Sequence, residues 1–136
     1  MDNAVTLDFI KPLLAELSSA FLNFHRELLF SQAALVEKSE GRQYQPYELL
    51  NLSLNDERFV WLKNFSDLIL KIDIITDDKE NKPYDAQAIV TEIKNLITGQ
   101  SSPDYNRAIK ADTTLMLSLG EVRKALTKLE TVLKNK

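Results

Sequence analysis

Two long apolar seams, one at each end of the chain, constrain the fold more than any other feature. In the first, Leu7, Ile10, Leu14, Leu17, Phe21, Phe24, Leu28, Ser31 and Leu35 recur in alternating steps of three and four. In the second, Tyr105, Ala108, Asp112, Leu115, Leu119, Val122, Leu126, Leu129 and Leu133 repeat that spacing. Steps of three and four place side chains on one face of an α-helix, so each seam predicts a long helix with one buried side. The first helix is expected over about Asp8 to Lys38. Pro12 lacks a backbone N–H and disfavours a helical Lys11, so regular helix is expected to begin there or to kink just before it. The second is expected as one element, capped by Ser102 and opened by Pro103 and Asp104, with Lys124, Lys128 and Lys134 near its negative end.

Glycine and proline divide what lies between. The chain has three glycines and four prolines in 136 residues. Gly41 with Pro46, Pro83, and Gly99 with Pro103 form three breaks and so four segments. The inner segments predict helices over Asp56–Thr76 and Pro83–Thr98, the latter stopped by Gly99. The connector of residues 39–55 is long for a link between helices, and Pro46 to Leu52 carries enough apolar side chains for a short helix lying on the rest. No segment alternates with period two between turns, so no strand is expected. The expected fold is all-α: a single domain over residues 1–136, built as an up-down-up-down four-helix bundle with two long outer helices and a short extra helix in the first connector. A chain of 15.5 kDa folded compactly exposes about 7,200 Å².

Composition excludes several functions. Without cysteine there are no disulfides, thiolate metal sites or cysteine nucleophiles, which fits a reducing, cytoplasmic setting. One histidine, His25, rules out a di-iron bundle within a single chain. The net charge is −3, far from the basic footprint of a nucleic-acid binder. No apolar run approaches the ~18 residues of a membrane span, and the start Met-Asp-Asn-Ala has no signal-peptide pattern. No cofactor, nucleic acid or membrane is expected.

Candidate polar sites are few. His25, Ser66 and Asp73 come within reach of one another if the first two long helices are antiparallel. A triad needs an exposed nucleophile and aligned oxyanion donors, whereas Ser66 lies inside a regular helix, so a hydrogen-bonded structural cluster is the expected role. Asp112 interrupts the last seam and Ser31 the first, and helices aligned at their midpoints bring the two together as a polar layer. Glu37-x-x-Glu40 resembles half of the acidic motif of all-α nucleotide pyrophosphohydrolases, but the second half is missing and solvated surface accounts for the pair. The acidic run Asp77 to Asn81 lacks the register of an EF-hand loop.

Apolar residues outside the seams point to an interaction surface: Phe30, Phe59, Leu70, Ile74 and Leu117, with Gly120, which has no role as a helix stop. On the helix of Asp56–Thr76, Phe59, Leu70 and Ile74 fall opposite the core arc. Either Leu49 to Leu54 of the connector folds over them, or they meet another copy or a partner protein. The leading expectation is a noncatalytic, self-associating or partner-binding module. The alternative is a small-molecule-binding or enzymatic bundle using Ser31/Asp112 or His25/Ser66/Asp73.

Asn55-Asp56, Phe59, Trp61-Leu62, Ser66, Leu68-Ile69 and Ile72-Asp73, with His25-Arg26 and Leu28-Leu29 upstream, resemble a family of small uncharacterised bacterial helical proteins. The resemblance spans about residues 14–73 and implies a helical fold with no assigned activity. Where that family often has a proline after the basic residue, this chain has Asn64 after Lys63.

Overall fold

A computed structural model describes residues 3–80, 83–98 and 102–134, with side chains from Ile10 onward. Among these residues there are six α-helices and no strand: α1 (Asn3–Glu40), α2 (Pro46–Asn55), α3 (Val60–Thr76), α4 (Ala86–Thr98), α5 (Pro103–Ala111) and α6 (Thr113–Lys134). A single 3₁₀ turn, Glu57–Phe59, precedes α3. Gly99 and the Leu7 side chain lie outside the described residues. None of the described helices is long and apolar enough to cross a membrane.

Helix α1 starts upstream of the expected position and runs through Pro12 without a break. Its seam is buried from Ile10 through Leu28 at Ile10, Leu14, Leu17, Phe21, Phe24 and Leu28. The helix ends at Gly41, whose φ of 69° is the left-handed conformation that glycine adopts without a Cβ clash. The Arg42 N–H then reaches back to the Glu37 carbonyl at 3.1 Å, closing the turn.

The first connector does contain a helix. Pro46 opens α2, and the Gln45 N–H donates to the Glu48 carboxylate at 3.0 Å. Helix α4 begins at Ala86 instead of Pro83 because Asp85 caps it, accepting from the Ala88 N–H at 3.0 Å. Ser102 caps α5 as expected, accepting from the Tyr105 N–H at 3.1 Å.

The last seam departs from expectation, being two helices. Asp112 has extended backbone torsions (φ −133°, ψ 111°), and its carboxylate accepts from the Thr114 N–H at 2.9 Å. It ends α5 and caps α6. The 3,4 spacing continues across the break, with Tyr105, Ala108, Leu115 and Leu119 all buried, so periodicity alone does not reveal the interruption.

Helix α1 packs against both α3 and α6; α4 contacts α3 and α6, and α5 contacts α1 and α6. Phe21, Phe24, Phe65, Trp61 and Tyr105 form a continuous aromatic cluster, with Phe65 stacked on Phe21 and on Tyr105 at centroid distances of 5.5 and 5.8 Å. The buried Tyr105 hydroxyl donates to the Ile97 carbonyl at 2.6 Å, fastening the end of α4 to α5. Burial holds that phenol well above its ordinary pKa.

Candidate interaction surface

The polar residues resolve into a ladder between α1 and the segment 58–78, which contains α3. Gln32 Nε2 donates to the Arg58 carbonyl at 3.1 Å, His25 Nε2 lies 3.0 Å from Ser66 Oγ, Ser18 Oγ donates to Asp73 Oδ1 at 3.3 Å, and Lys11 Nζ donates to the Asp78 carbonyl at 2.7 Å. The α1 members are spaced seven apart while their partners ascend along the chain, so the two helices are antiparallel and their polar seam repeats every two turns. His25 and Ser66 therefore meet, but Asp73 belongs to the next rung with Ser18. The Ser66 hydroxyl also reaches the Leu62 carbonyl of its own helix at 3.5 Å. Burial depresses the His25 imidazole below its ordinary pKa of 6.5. These contacts hold register between two helices.

No hydrogen bond joins Ser31 and Asp112 among the described residues, and the Asp112 carboxylate serves the α6 cap. The opposite flank of α1 is joined to α6 instead by Glu27 with the Ser118 hydroxyl, and by Glu16 with Lys128 at 2.8 Å. Glu37 and Glu40 act as fasteners. Glu37 accepts from the Tyr44 N–H at 2.6 Å, and Glu40 pairs with Arg58 at 3.0 Å. Arg58 grips Asp56 with two further nitrogens at 2.9 and 2.7 Å, holding that carboxyl down at about 2.

Of the apolar candidates, Phe59 is misplaced by the sequence pattern. It is fully buried. Asp56 accepts from the Arg58 N–H at 2.8 Å and so initiates a 3₁₀ turn, which leaves Phe59 at φ −109°, ψ 0° before α3 begins. A helical wheel drawn continuously from Asp56 carries the wrong phase through that turn. Phe30, Leu70, Ile74 and Leu117 are all exposed, and Gly120 is open as well: a Cβ built there meets nothing within 4 Å. They do not form one surface. Leu70 and Ile74 lie on α3, with exposed Leu22 of α1 between the same two ladder rungs as Leu70, whereas Phe30, Leu117 and Gly120 belong to the α1 and α6 side.

Helix α2 does not cover Leu70 or Ile74, which are 62% and 64% exposed. It packs at the start of α3, directing half-buried Leu49 and Leu52 toward the core. Its opposite face is the feature missed in the sequence. Tyr47, Leu50 and Leu54, spaced i, i+3, i+7, are 74%, 61% and 71% exposed, and Val60 is exposed just beyond. None of the ten α2 residues is fully buried. The sequence of Pro46 to Asn55 carries two opposed apolar stripes at helical spacing, because Leu49 and Leu52 cannot share a face with Tyr47, Leu50 and Leu54.

Two concave regions bear on ligand binding. A cleft of about 290 Å³ between α3, α4 and α5 is lined by Trp61, Phe65 and Tyr105 together with Asn64, Asn95 and Asp104. Its inner donors are engaged within the protein: Trp61 Nε1 with the Arg58 carbonyl at 3.1 Å and the Tyr105 hydroxyl with Ile97. A larger, open groove beside Pro12, Leu13 and Val132 is rimmed by Lys124 and Lys128. Among the described residues, no group of three or more His, Asp or Glu side chains is arranged to hold a metal ion. No known protein family, curated protein or solved structure matches this chain.

Proposed function

We propose that this protein is a noncatalytic interaction module whose helices form an up-down-up-down bundle, with α5 and α6 together supplying the fourth arm. It works as a cytoplasmic scaffold that presents an apolar helix face to another protein chain. The observation carrying this reading is the outer stripe of α2, where three large apolar side chains stand exposed on a helix already anchored by its other side. Contiguous exposed apolar surface on a small protein marks a contact site more often than an idle one.

Catalysis has less support, because the polar groups nearest to a catalytic set are consumed in helix register and capping. The resemblance to small helical bacterial proteins is carried as part of the same proposal and implies a helical fold with no assigned activity. Sedimentation combined with titration of a hydrophobic dye tests the function. Self-association, or a monomer that binds the dye at its exposed stripe, agrees with it. A monomer that binds no dye overturns it.

A further inference from the structure

We infer that α2 is a releasable strap, a unit that undocks and unwinds while α1, α3 and α6 stay folded. It is set apart by how little holds it down. Alone among the six described helices, α2 contains no fully buried residue. Half-buried Leu49 and Leu52 lean on the core, and the surface α2 meets is chiefly α3 and the Glu57–Phe59 turn. Among the described residues, no hydrogen bond or ion pair joins the side chains of residues 46–55 to another helix. Glu48 pairs with Arg42 and accepts from the Gln45 N–H, Asn55 donates to Asn51, and Ser53 donates to the Leu50 carbonyl. The Arg42–Glu48 pair is solvated and contributes little. A helix of ten residues is too short to be stable alone in water, so α2 stays wound only while it is docked.

Both feet of the strap are clipped to the same place, the last turn of α1. At one foot the Arg42 N–H donates to the Glu37 carbonyl at 3.1 Å, and the Tyr44 N–H donates to the Glu37 carboxylate at 2.6 Å. At the other, Glu40 pairs with Arg58 at 3.0 Å, and Arg58 holds Asp56 at 2.7 Å. The backbone changes direction at each foot, at Gly41 with φ 69° and at Asp56 with φ −88°, ψ 131°. These clips lie outside residues 46–55. Unwinding α2 breaks none of them, so the opening stops at the feet and the bundle remains closed.

Segments with few buried contacts open cooperatively at free energies well below that of global unfolding. Release of α2 uncovers Leu49, Leu52 and the core surface beneath them, apolar area that the docked state hides. The strap thus gives the chain a closed and an open state, and whatever binds the open one better shifts the balance toward it.

Hydrogen exchange of the full chain, resolved by NMR at low protein concentration, tests the strap. In wild type the amides of residues 49–55 should exchange at least about a hundredfold faster than those of residues 119–126 in α6, with one common opening constant. Low urea should accelerate the α6 amides and leave α2 nearly unaffected, because a local opening exposes little surface. Two variants, checked for helicity by circular dichroism, separate local from global opening. Val122→Ala destabilises the closed and open states alike, so it should speed α6 exchange about tenfold and leave the α2 rate unchanged. L49A/L52A loosens docking itself and should speed α2 exchange at least about tenfold. The strap is overturned if α2 amides exchange as slowly as those of α6, or respond to urea or Val122→Ala by the same factor, since α2 then opens only when the whole chain unfolds. Scattered α2 rates without a common opening constant, or a rate indifferent to L49A/L52A, overturn it as a docked unit.

Discussion

Replacing Gly120 with alanine should stabilise the protein. Gly120 lies in the interior of α6, is exposed, and offers a new Cβ open space, with no neighbouring atom within 4 Å. Its backbone is helical, so alanine meets no strain there. Glycine inside an exposed helix costs about 1 kcal/mol relative to alanine, largely because it leaves the unfolded chain more freedom to lose. For a chain of 136 residues the unfolding entropy is about 0.29 kcal/mol/K, so the gain should raise Tm by about 3 to 4 °C. Differential scanning calorimetry at two protein concentrations gives the comparison. The rise should be the same at both, because a Cβ at Gly120 points into open space. A Tm that is unchanged or lowered would refute the reasoning, and a gain that vanishes at high concentration would mean that another chain closes over Gly120.

Three further substitutions probe individual contacts. Asp112→Ala should lose about 0.5 to 2 kcal/mol through the missing α6 cap, whereas Asp112→Asn should be nearly neutral in urea denaturation, because asparagine caps as well as aspartate. Tyr105→Phe should cost about 1 to 3 kcal/mol in the same assay by leaving the buried Ile97 carbonyl without its donor, and a loss near zero would show that water replaces the hydroxyl. His25 sets a pH dependence of definite sign. Its folded pKa is depressed, so its contribution is fully present above the unfolded value near 6.5 and declines as pH falls through the lower folded value, where the unfolded chain takes up the proton first. His25→Gln should flatten stability over that range, and a slope unchanged by the substitution would assign the pH dependence to other groups.

Much of the helical content was legible because its causes are local. The steps of three and four placed Leu14, Phe21 and Leu28 on one face, and Ser102 with Pro103 announced the start of α5 through the chemistry of a helix N-terminus. The meeting of His25 with Ser66 could also be anticipated, since an antiparallel pair of helices with a given offset allows few registers. Asp73 was one rung away from its expected partner because that offset is set by packing and not by spacing.

The rest was decided by tertiary structure. Phe59 is buried because Asp56 and Arg58 wind a 3₁₀ turn that changes the phase of the wheel, and Asp112 ends a helix within an unbroken apolar period because its carboxylate caps α6, an event that apolar spacing does not register. Helix α2 is the plainest case. Its sequence places apolar side chains on two opposite faces, and nothing local distinguishes them. Only the position of α3 against Leu49 and Leu52 selects the face that is covered, leaving Tyr47, Leu50 and Leu54 to the solvent. Periodicity is a property of neighbouring residues along the chain, whereas burial depends on what another segment places in front of them.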